Sequence, residues 1–461
     1  MNLNRKITKK TLTALFCLVI LVGCSCPSRC TAADEWQQAD NIVSRIKPPQ
    51  FPKGQFKITD YGAVDDGNTD CTAAFEKAIT AANKAGGGRV FVPPGTYLTG
   101  AIHLKSNVNL HISPAAVIKF STDPDKYLPA VRVRFEGIEC MNYSPLIYAY
   151  EQENIAITRG GILDGQAGEM NWWKWNLDGS DLVDIIKLND YGREGLAIEK
   201  RVFGAGHYLR PNMIVLYKCK NILIEGVTVK NSPMWHVHFV LSQNITVRNV
   251  KIIGHGPNND GCNPDSCRDV LIENCFLDNG DDCVTIKSGR NNDGRRVNTP
   301  CENIVVRNCR MKDGHGGVVM GSEMSAGVRN VFIENCVMDS PNLRQALRIK
   351  SNAQRGGFIE NIYMRNVEVG EVNEAIFNIN FYYGEAENGP YLPTIRNIHF
   401  ENITSQKSKY VLFLHGFVKK PSITDIYLKD CSFNYVQNAD VVTGVQKIVF
   451  ENVKVNDKPI N

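Results

Sequence analysis

No apolar run in the sequence is long enough to span a membrane permanently. The most apolar stretch, Leu12–Val22, is shorter than the roughly 20 residues that a transmembrane helix needs. Basic residues precede it and no acidic residue does, an order typical of an export signal. These basic residues are Arg5, Lys6, Lys9 and Lys10. The N-terminus therefore predicts an exported protein.

Two processing sites are compatible with this leader. Leu21-Val22-Gly23-Cys24 resembles a bacterial lipobox, in which the cysteine is acylated after cleavage, and simple secretion with cleavage after Thr31-Ala32-Ala33 is the alternative. We predict that residues 1–33 are a signal peptide or lipoprotein leader. The protein would then be an outer-membrane lipoprotein held through a lipid on Cys24, or a periplasmic or extracellular bacterial protein.

The chain also lacks a basic excess once this leader is removed. The formal charge of the whole sequence is +4. Residues 1–33 contain five cations and no acids, so the remainder carries about −1. Nucleic-acid binding thereby loses its compositional support, and we expect no nucleic-acid partner. An anionic substrate would have to be held by local cations.

Zinc-site spacing is absent as well, because no Cys-x-x-Cys is followed by a second one or by His-x-x-x-His. Fifteen cysteines in an exported chain would suggest disulfides. Several of them, however, recur at one place in a repeat, where a free cysteine packs as a small hydrophobe. We expect stacked core thiols at Cys275, Cys309, Cys336 and Cys431. A local bond between Cys262 and Cys267 stays open.

The repeat itself combines a short strand with a polar-Asn-apolar corner, as in Asn330-Val-Phe-Ile-Glu-Asn-Cys. From Asn221 onward the repeat starts lie 22 to 36 residues apart, which fits one β-solenoid coil plus loops of variable length. A leucine-rich repeat is excluded because its leucine lattice is missing. The starts are Asn154, Asn221, Asn244, Asp269, Asn303, Asn330, Asn361, Asn397, Asp425 and Lys447. We predict an all-β protein, a right-handed parallel β-helix, with asparagines in the left-handed conformation at its corners.

The remaining segments complete the domain plan. Apolar residues recur at helical spacing over residues 70–85, which predicts a capping helix at the N-terminal end of the solenoid. Residues 34–53 are polar and contain three prolines, so we expect an exposed linker there, followed by a β-helix domain over residues 54–461. Residues 166–210 form a long insertion.

Two irregular stretches are candidates for function, because long loops on a regular scaffold often carry it. The insertion contains three tryptophans, which would either pack it onto the coil or stack on a sugar. Gly289–Pro300 is a basic loop, which would either be solvated or contact an acidic substrate. The residues concerned are Trp172, Trp173 and Trp175, and Arg290, Arg295 and Arg296.

A cluster of charged residues follows the coil period. Asp260 precedes Asp281 by 21 residues, His315 follows Asp282 by 33, and Arg348 follows His315 by 33. In a solenoid, positions one coil apart stack at a spacing of roughly 4.8 Å. We therefore expect these side chains to line one wall.

This set of side chains suits the hydrolysis of an acidic glycoside. One carboxylic acid must protonate the leaving oxygen and one carboxylate must activate water or attack carbon. Because adjacent carboxylates cannot all ionise cheaply, the pKa of one should rise. Arg348 and Lys350, on the same side of a strand, suggest that the substrate is itself a carboxylate, such as a uronic acid.

The chain resembles the polygalacturonases of glycoside hydrolase family 28 over roughly residues 56–453. The motifs that carry the resemblance are Asn258-Asn259-Asp260, Gly280-Asp281-Asp282, Gly314-His315-Gly316 with Met320-Gly321-Ser322, and Arg348-Ile349-Lys350. The resemblance implies inverting hydrolysis of α-1,4-galacturonosyl linkages in pectin, without a metal or another cofactor. It also implies a pectic polysaccharide or oligogalacturonide as substrate, and we expect a monomer.

Residue by residue, the resemblance assigns the following roles. Asp281 is the general acid, Asp260 and Asp282 activate water, and His315 tunes the acid or orients the substrate. The substrate-binding residues are Arg348, Lys350, Asn258 and Tyr383, with Tyr382 as a close competitor for the tyrosine position.

The water-activating side departs from the family pattern. The middle residue of the first motif is Asn259 where the family has threonine, and Asn263 stands where a further aspartate is usual. Asp265 is therefore an alternative candidate for the motif aspartate.

Alternative functions also remain at this stage. The basic loop and the tryptophan-rich insertion resemble those of exo-acting members of the family, so we expect exo action. Hydrolysis of rhamnogalacturonan or another side-chain galacturonide is the runner-up. A calcium-dependent pectate lyase, with aspartates holding the ion, and a non-catalytic glycan-binding solenoid are the alternatives from other classes.

Overall fold

Short parallel strands, each paired with the strand one coil further along the chain, make up most of the protein. The computed structural model describes residues 32–460, so the predicted leader lies almost wholly outside the described residues. One wall is an eleven-stranded parallel sheet, which we call the groove wall. It consists of Ile102–His103, Ile147–Tyr150, Ile214–Tyr217, Val237–Val240, Cys262–Asp265, Val284–Ile286, Val318–Gly321, Gln345–Lys350, Ala375–Asn380, Tyr410–His415 and Val441–Thr443.

The other walls merge into a sheet of twenty-five strands, which we call the long sheet. Its first half consists of Gln55–Lys57, Asp66–Asp70, Gly88–Val92, Gly95–Thr99, Val108–Ile112, Ala116–Phe120, Glu153–Thr158, Ile162–Asp164, Lys220–Glu225, Thr228–Lys230, Gln243–Arg248, Lys251–Gly254 and Arg268–Glu273. The second half consists of Phe276–Asn279, Cys301–Arg307, Arg310–Met311, Val328–Glu334, Val337–Met338, Phe358–Glu371, Thr394–Lys407, Ile423–Lys429, Ser432–Phe433, Ile448–Glu451, Val453–Val455 and Lys458–Ile460. This is the parallel β-helix that the repeat predicts.

The core follows from the strand alternation, which turns every second side chain inward. One inward position repeats in register from coil to coil and is apolar and buried each time. Its members are Ile222, Ile245, Val270, Ile304, Val331, Ile362 and Ile398. A slip of one residue would expose this whole column, so the apolar pattern fixes the register.

Asparagines shape the corners, as the sequence analysis predicts. The Asn or Asp that starts each of nine repeats has a positive φ between 55° and 62°, and the corner after the strand is left-handed as well. The starting side chains also form a ladder: Asn330 donates to Asn303 at 3.0 Å and accepts from Asn361 at 3.0 Å. Asparagine is therefore favoured twice, by conformation and by stacking.

Cysteine contributes to the core as free thiols. All eleven cysteines of residues 32–460 are buried and unpaired. Cys275, Cys309 and Cys336 repeat at one corner, as expected. Cys262 and Cys267 do not form the local disulfide that was left open, and the Cys267 thiol instead lies 3.4 Å from the carbonyl oxygen of Phe239.

The N-terminal end of the solenoid is closed by a helix, as predicted. Helix α2, Thr72–Lys84, follows helix α1, Ala32–Arg45, in the chain. The apolar residues expected to face the coils are all buried, namely Ala74, Phe75, Ala78, Ile79 and Ala82. A solenoid needs such a cap because its terminal coil would otherwise expose the core.

The expected exposed linker over residues 34–53 is wrong for its first part. Helix α1 buries Trp36 and Ile42 against the outer face of the long sheet. The outward residues it covers are apolar where an exposed strand would carry polar ones, and they are Leu271, Val305, Phe332 and Tyr363. Covering them removes apolar area from water, which stabilises the docked helix.

The insertion over residues 166–210 packs on one side of the coils. It contains helices α3, Lys174–Leu177, and α4, Leu182–Glu194, and its strand Val202–Phe203 joins a β-hairpin. The strands of this hairpin are Val131–Phe135 and Ile138–Asn142. A last helix, α5, Asn291–Val297, lies in the basic loop, and short 3-10 helices span Ile58–Tyr61, Pro124–Tyr127 and Ile198–Lys200.

The tryptophans of the insertion serve packing. Trp172 is fully buried, with its ring 5.6 Å from that of Tyr127, and Trp175 packs edge-on against it at 4.9 Å. Trp173 donates from Nε1 to the carbonyl oxygen of Ser232 at 2.9 Å. Of the two interpretations left open, packing onto the coil is the one this geometry supports. Among residues 32–460, no helix is long and apolar enough to cross a membrane.

The asparagine ladder yields a stability prediction. Asn330→Ala should lower the free energy of unfolding by about 2–3 kcal/mol, because it removes two ladder hydrogen bonds and places alanine at positive φ. Asn330→Gly keeps the conformational freedom and should cost about 1 kcal/mol less. Thermal and denaturant unfolding of the two variants checks this; equal losses would show that the left-handed conformation contributes nothing.

Candidate active site

Coil register brings three aspartates together. The strands Cys262–Asp265 and Val284–Ile286 are paired Cys262 to Val284, and the Gly261 N–H donates to the Asp282 carbonyl oxygen at 2.9 Å. Asp260 therefore lies beside Asp282 at the start of neighbouring strands. A Cβ on Gly261 would lie 2.4 Å from the Cys283 carbonyl oxygen, so this close approach requires glycine.

The histidine comes from the next coil. The His315 N–H donates to the Asp281 carbonyl oxygen at 3.1 Å, and His315 Nδ1 lies 2.9 Å from Asp281 Oδ1. About a third of the His315 side chain is exposed. The expected histidine–acid contact is present.

The two expected cations reach the same carboxylate. Lys350 Nζ lies 2.7 Å from Asp282 Oδ2, and Arg348 Nη1 lies 3.6 Å from Asp282 Oδ1. Both side chains project from the strand Gln345–Lys350 on one side, as their spacing predicts. Asp282 is fully buried beneath them.

A cavity of about 160 Å³ opens beside these groups. Five of the residues expected to act lie on its wall, and they are Asn258, Asp260, Asp281, Lys350 and Tyr383. Asp282 contacts Lys350, and His315 contacts Asp281. Arg348 contacts Asp282 and lies 6.0 Å from the centre of the Tyr383 ring. Register thus gathers all eight predicted site residues into one region.

Asp260 is the carboxyl group whose pKa rises. It is almost fully buried, and burial raises its pKa well above the usual range although Lys287 Nζ lies only 3.5 Å from Oδ2. The negative charges of Asp281 and Asp282 raise the pKa further. Thr285 donates from Oγ1 to Asp260 Oδ2 at 3.2 Å.

Asp281 behaves in the opposite way. Burial acts to raise its pKa, but the hydrogen bond from His315 and the charge of Lys350 outweigh that effect and hold the pKa below the usual range. From the sequence we expect one pKa in the cluster to rise, and the family resemblance assigns the acid role to Asp281. The group with the raised pKa is instead Asp260.

Apart from Arg290 of the basic loop, the rest of the cavity wall was not anticipated as a binding surface. It consists of Glu136, Trp235, Lys287, Arg290, Ser322, Glu323 and Arg355. Glu323 is buried, and the cations of Lys287 and Arg355 hold its pKa well below the usual range against the effect of burial. These residues lie outside the family motifs, except for Ser322, which ends Met320-Gly321-Ser322 and is followed directly by Glu323.

One arginine of the basic loop contributes to the cavity. Arg290 Nη1 lies 2.9 Å from Glu136 Oε2, and the Arg290 N–H donates to the Gly137 carbonyl oxygen at 3.0 Å. Arg296 is paired with Glu139 and Asp293 instead. The guanidinium of Arg295 lies over the Tyr391 ring at 3.6 Å. The loop is therefore pinned by specific partners, and Arg290 ties it to the hairpin.

Asn258 is held by an arginine from the end of the insertion. Arg210 Nη2 donates to Asn258 Oδ1 at 2.7 Å, and Nη1 donates to the carbonyl oxygens of Pro233 and Pro257. Burial lowers the pKa of this guanidinium to about 10. The insertion thus positions a residue of the cavity.

The geometry decides between the alternative residues for the tyrosine position and for the motif aspartate. Tyr383 lines the cavity, with Lys350 Nζ 5.5 Å from its ring, whereas Tyr382 stacks on His415 and donates to Glu387. Asp265 does not reach the cavity, because it is fully buried and paired with Arg134 at 2.7 Å. Asp260 is therefore the aspartate of the first motif.

Two groups of side chains have metal-ligand character among residues 32–460. They are Asp281, Asp282 and His315, and His255, Asp278 and Asp313, each with donor atoms within 4.8 Å of one another. In the first group Lys350 already neutralises Asp282, and in the second Lys312 Nζ lies 3.0 Å from Asp278 Oδ2. A lysine ammonium repels a divalent cation, so we assign no metal to either group.

The chain belongs to glycosyl hydrolases family 28. The family model matches residues 203–456, which hold every motif of the cavity. Residues 55–125 match a second model, described as rhamnogalacturonase A/epimerase, pectate lyase-like. The class defined by fold and site is thus a glycoside hydrolase on a right-handed parallel β-helix, which confirms the predicted fold class and family.

The chain is also similar to two individual proteins and to one crystal structure. A probable polygalacturonase of Vitis vinifera is 30% identical over 400 residues, covering 84% of this chain and 75% of that protein. An exo-poly-alpha-D-galacturonosidase of Dickeya chrysanthemi is 27% identical, covering 92% and 77%. The crystal structure of a hyperthermoactive exopolygalacturonase from Thermotoga maritima superposes with a TM-score of 0.89 at 43% identity, covering 92% of this chain and 96% of that one.

Proposed function

We propose that the protein is an exo-acting, inverting polygalacturonase that removes single galacturonate units from the end of a pectic chain. The observation that carries this proposal is the cavity of about 160 Å³, whose wall combines the catalytic aspartates with four cations. The names of the compared relatives support the same activity.

Cations provide the recognition of an acidic sugar. Lys350 lines the cavity beside Arg348, and Arg290 and Arg355 line it as well. A carboxylate is held best where several positive donors converge, so a uronate is favoured over a neutral hexose. The same cations also disfavour a calcium-dependent lyase, because they would repel the divalent ion that such an enzyme needs at this place.

The Glu136–Arg290 pair supplies the end of the substrate cleft. It joins the tip of the Val131–Asn142 hairpin to the basic loop, and the contact is tight: a Cβ on Gly137 would lie 2.7 Å from the Arg290 nitrogen. A long polymer cannot pass through this contact without breaking it. The substrate therefore enters with its terminal ring in the cavity and the rest of the chain directed past it, which is exo action.

Proton transfer follows from the electrostatics of the cavity. Asp281 has a lowered pKa because His315 and Lys350 face it. A uronate carboxylate bound at Arg348 and Lys350 neutralises part of that positive charge and brings a negative charge close. Both effects raise the pKa of Asp281, so that substrate binding prepares the general acid. Asp260, which lines the cavity, and Asp282 behind it then activate the attacking water.

Digestion of polygalacturonate tests the activity and the mode of attack. Monogalacturonate should be the sole product from the earliest time, its first-formed anomer should be β by proton NMR, and viscosity should fall slowly. Early oligomers would contradict exo action. Rhamnogalacturonan is assayed in parallel because of the second family match, and turnover of that polymer alone would transfer the assignment to the runner-up substrate.

Two substrates that differ in their leaving group distinguish the general acid from the general base. Asp281→Asn should lower kcat on digalacturonate by about 10²–10⁴, the usual contribution of a general acid. It should retain activity on α-galacturonosyl fluoride, because fluoride leaves without protonation. Asp260→Asn should be inactive on both substrates. If Asp281→Asn loses activity equally on both, Asp281 is not the acid.

We also propose that the protein is exported and attached to a membrane through a lipid on Cys24. The leader pattern supports this, and helix α1 holds the chain on the outer face of the long sheet, away from the cavity. Such a tether would leave the cavity open to substrate. In a bacterial host, Cys24→Ala should abolish palmitate labelling and release the protein into the soluble fraction; unchanged fractionation without labelling in the natural sequence would support simple secretion instead.

A further inference from the structure

A buried lysine connects two carboxylates of the cavity. Lys287 Nζ lies 3.5 Å from Asp260 Oδ2 and 3.1 Å from Glu323 Oε2, and its side chain is 3% exposed. The ammonium also lies 4.4 Å from the centre of the Trp235 ring. Neither Lys287 nor Glu323 has a role in the mechanism derived above.

The backbone fixes where this lysine points. Lys287 follows the strand Val284–Ile286, its N–H donates to the Pro264 carbonyl oxygen at 2.9 Å, and its carbonyl oxygen accepts from Ser266 at 2.8 Å. Thr285 and Lys287 lie two residues apart and so share one side of the strand. Both reach Asp260 Oδ2. The strand thus aims two donors at one oxygen.

Because Lys287 is buried, its positive charge must be neutralised by neighbouring carboxylates. A buried ammonium is tolerated only with paired carboxylates, and here Asp260 and Glu323 compete for the same one. The cavity aromatic, Trp235, covers the ammonium and limits access of water. A change in either partner must therefore alter the charge balance at the other.

We propose that Lys287 is a positioning residue that favours the ionised, water-activating form of Asp260 against the effect of burial, and that Glu323 limits this effect by sharing the ammonium. The proposal rests on the proposed function, since it concerns the base of that reaction. Other charged groups around the pair are taken as constant: Asp281, Asp282 and Lys350 face Asp260, and Arg290, Arg355 and Lys350 face Glu323.

The two partners make opposite predictions for the pH dependence of kcat/KM. A base acts when ionised, so its pKa sets the acidic limb. Lys287→Met removes the positive charge and should move the acidic limb at least one pH unit higher. At a pH below the limb, kcat/KM should therefore fall at least tenfold. At a pH above the limb, kcat/KM should return to the value of the natural enzyme. The alkaline limb, which is set by the pKa of the general acid Asp281, should move less. Lys287 contacts Asp260 directly but does not contact Asp281.

Glu323→Gln keeps the shape of the side chain and leaves the ammonium to Asp260 alone. It should move the acidic limb to lower pH, and Lys287→Met/Glu323→Gln should fall between the single variants. Lys218→Met removes a half-exposed lysine three coils away on the groove wall and should leave both limbs in place. A lower rate at every pH with no movement of the limb would mean that Lys287 is merely structural, and would overturn the proposal.

Two further readouts keep the outcome decisive. If Lys287→Met does not fold, Glu323→Gln decides alone: a downward shift supports the proposal and an unchanged limb refutes it. The carboxyl ¹³C resonance of Asp260, assigned by its loss in Asp260→Asn, titrates without turnover and should shift in the same directions. Inactivity of the natural enzyme on polygalacturonate would refute the proposed function, whereas immobile Asp260 titration would refute this inference only.

Discussion

In-register stacking of coils is the constraint on which the rest of the structure depends. Side chains separated by 20 to 70 residues in sequence become neighbours because each strand pairs in parallel with the strand of the next coil. The apolar columns and the asparagine ladder maintain that register, and a slip of one residue would turn Asp260, Asp281 and Lys350 away from each other. Catalytic geometry is therefore a consequence of the scaffold rather than of one flexible loop.

Stacking also brings acidic side chains together in a buried region, where their negative charges repel one another. Neighbouring cations and a histidine balance this charge. Lys350 and Arg348 contact Asp282, Lys287 contacts Asp260, and His315 contacts Asp281. Because each charge is balanced by a neighbour, an incoming uronate changes the balance for all of them. Under the proposed mechanism, substrate binding and proton transfer are coupled for that reason.

The repeat period and the corner asparagines were readable from the sequence because each coil obeys the same local rules. The motif aspartates and the Arg348–Lys350 pair were readable because they recur at the coil period. Lys287, Glu323 and Glu136 were not, since their importance depends on contacts between coils and with the hairpin. Glu323 directly follows the Met320-Gly321-Ser322 motif, and that position was the one available signal.

Two other outcomes depended on three-dimensional packing. Helix α1 was judged by its polar residues and nearby prolines, although Trp36, Ala39, Ile42 and Ile46 recur at helical spacing and the outward Leu271, Val305 and Phe332 need a cover. The carboxyl group with the raised pKa could not be chosen from sequence, because the choice depends on relative burial. Asp260 is more deeply buried than Asp281, and only the latter has the histidine.

The central claim is that this stacked wall forms a cavity for one terminal uronate. A crystal structure of the Asp281→Asn variant with trigalacturonate tests it most directly. The account predicts one ring in the cavity, its carboxylate against Arg348 and Lys350, with the other two rings leading away from the Glu136–Arg290 pair. Rings bound on both sides of that pair, or a trimer bound outside the cavity, would contradict it.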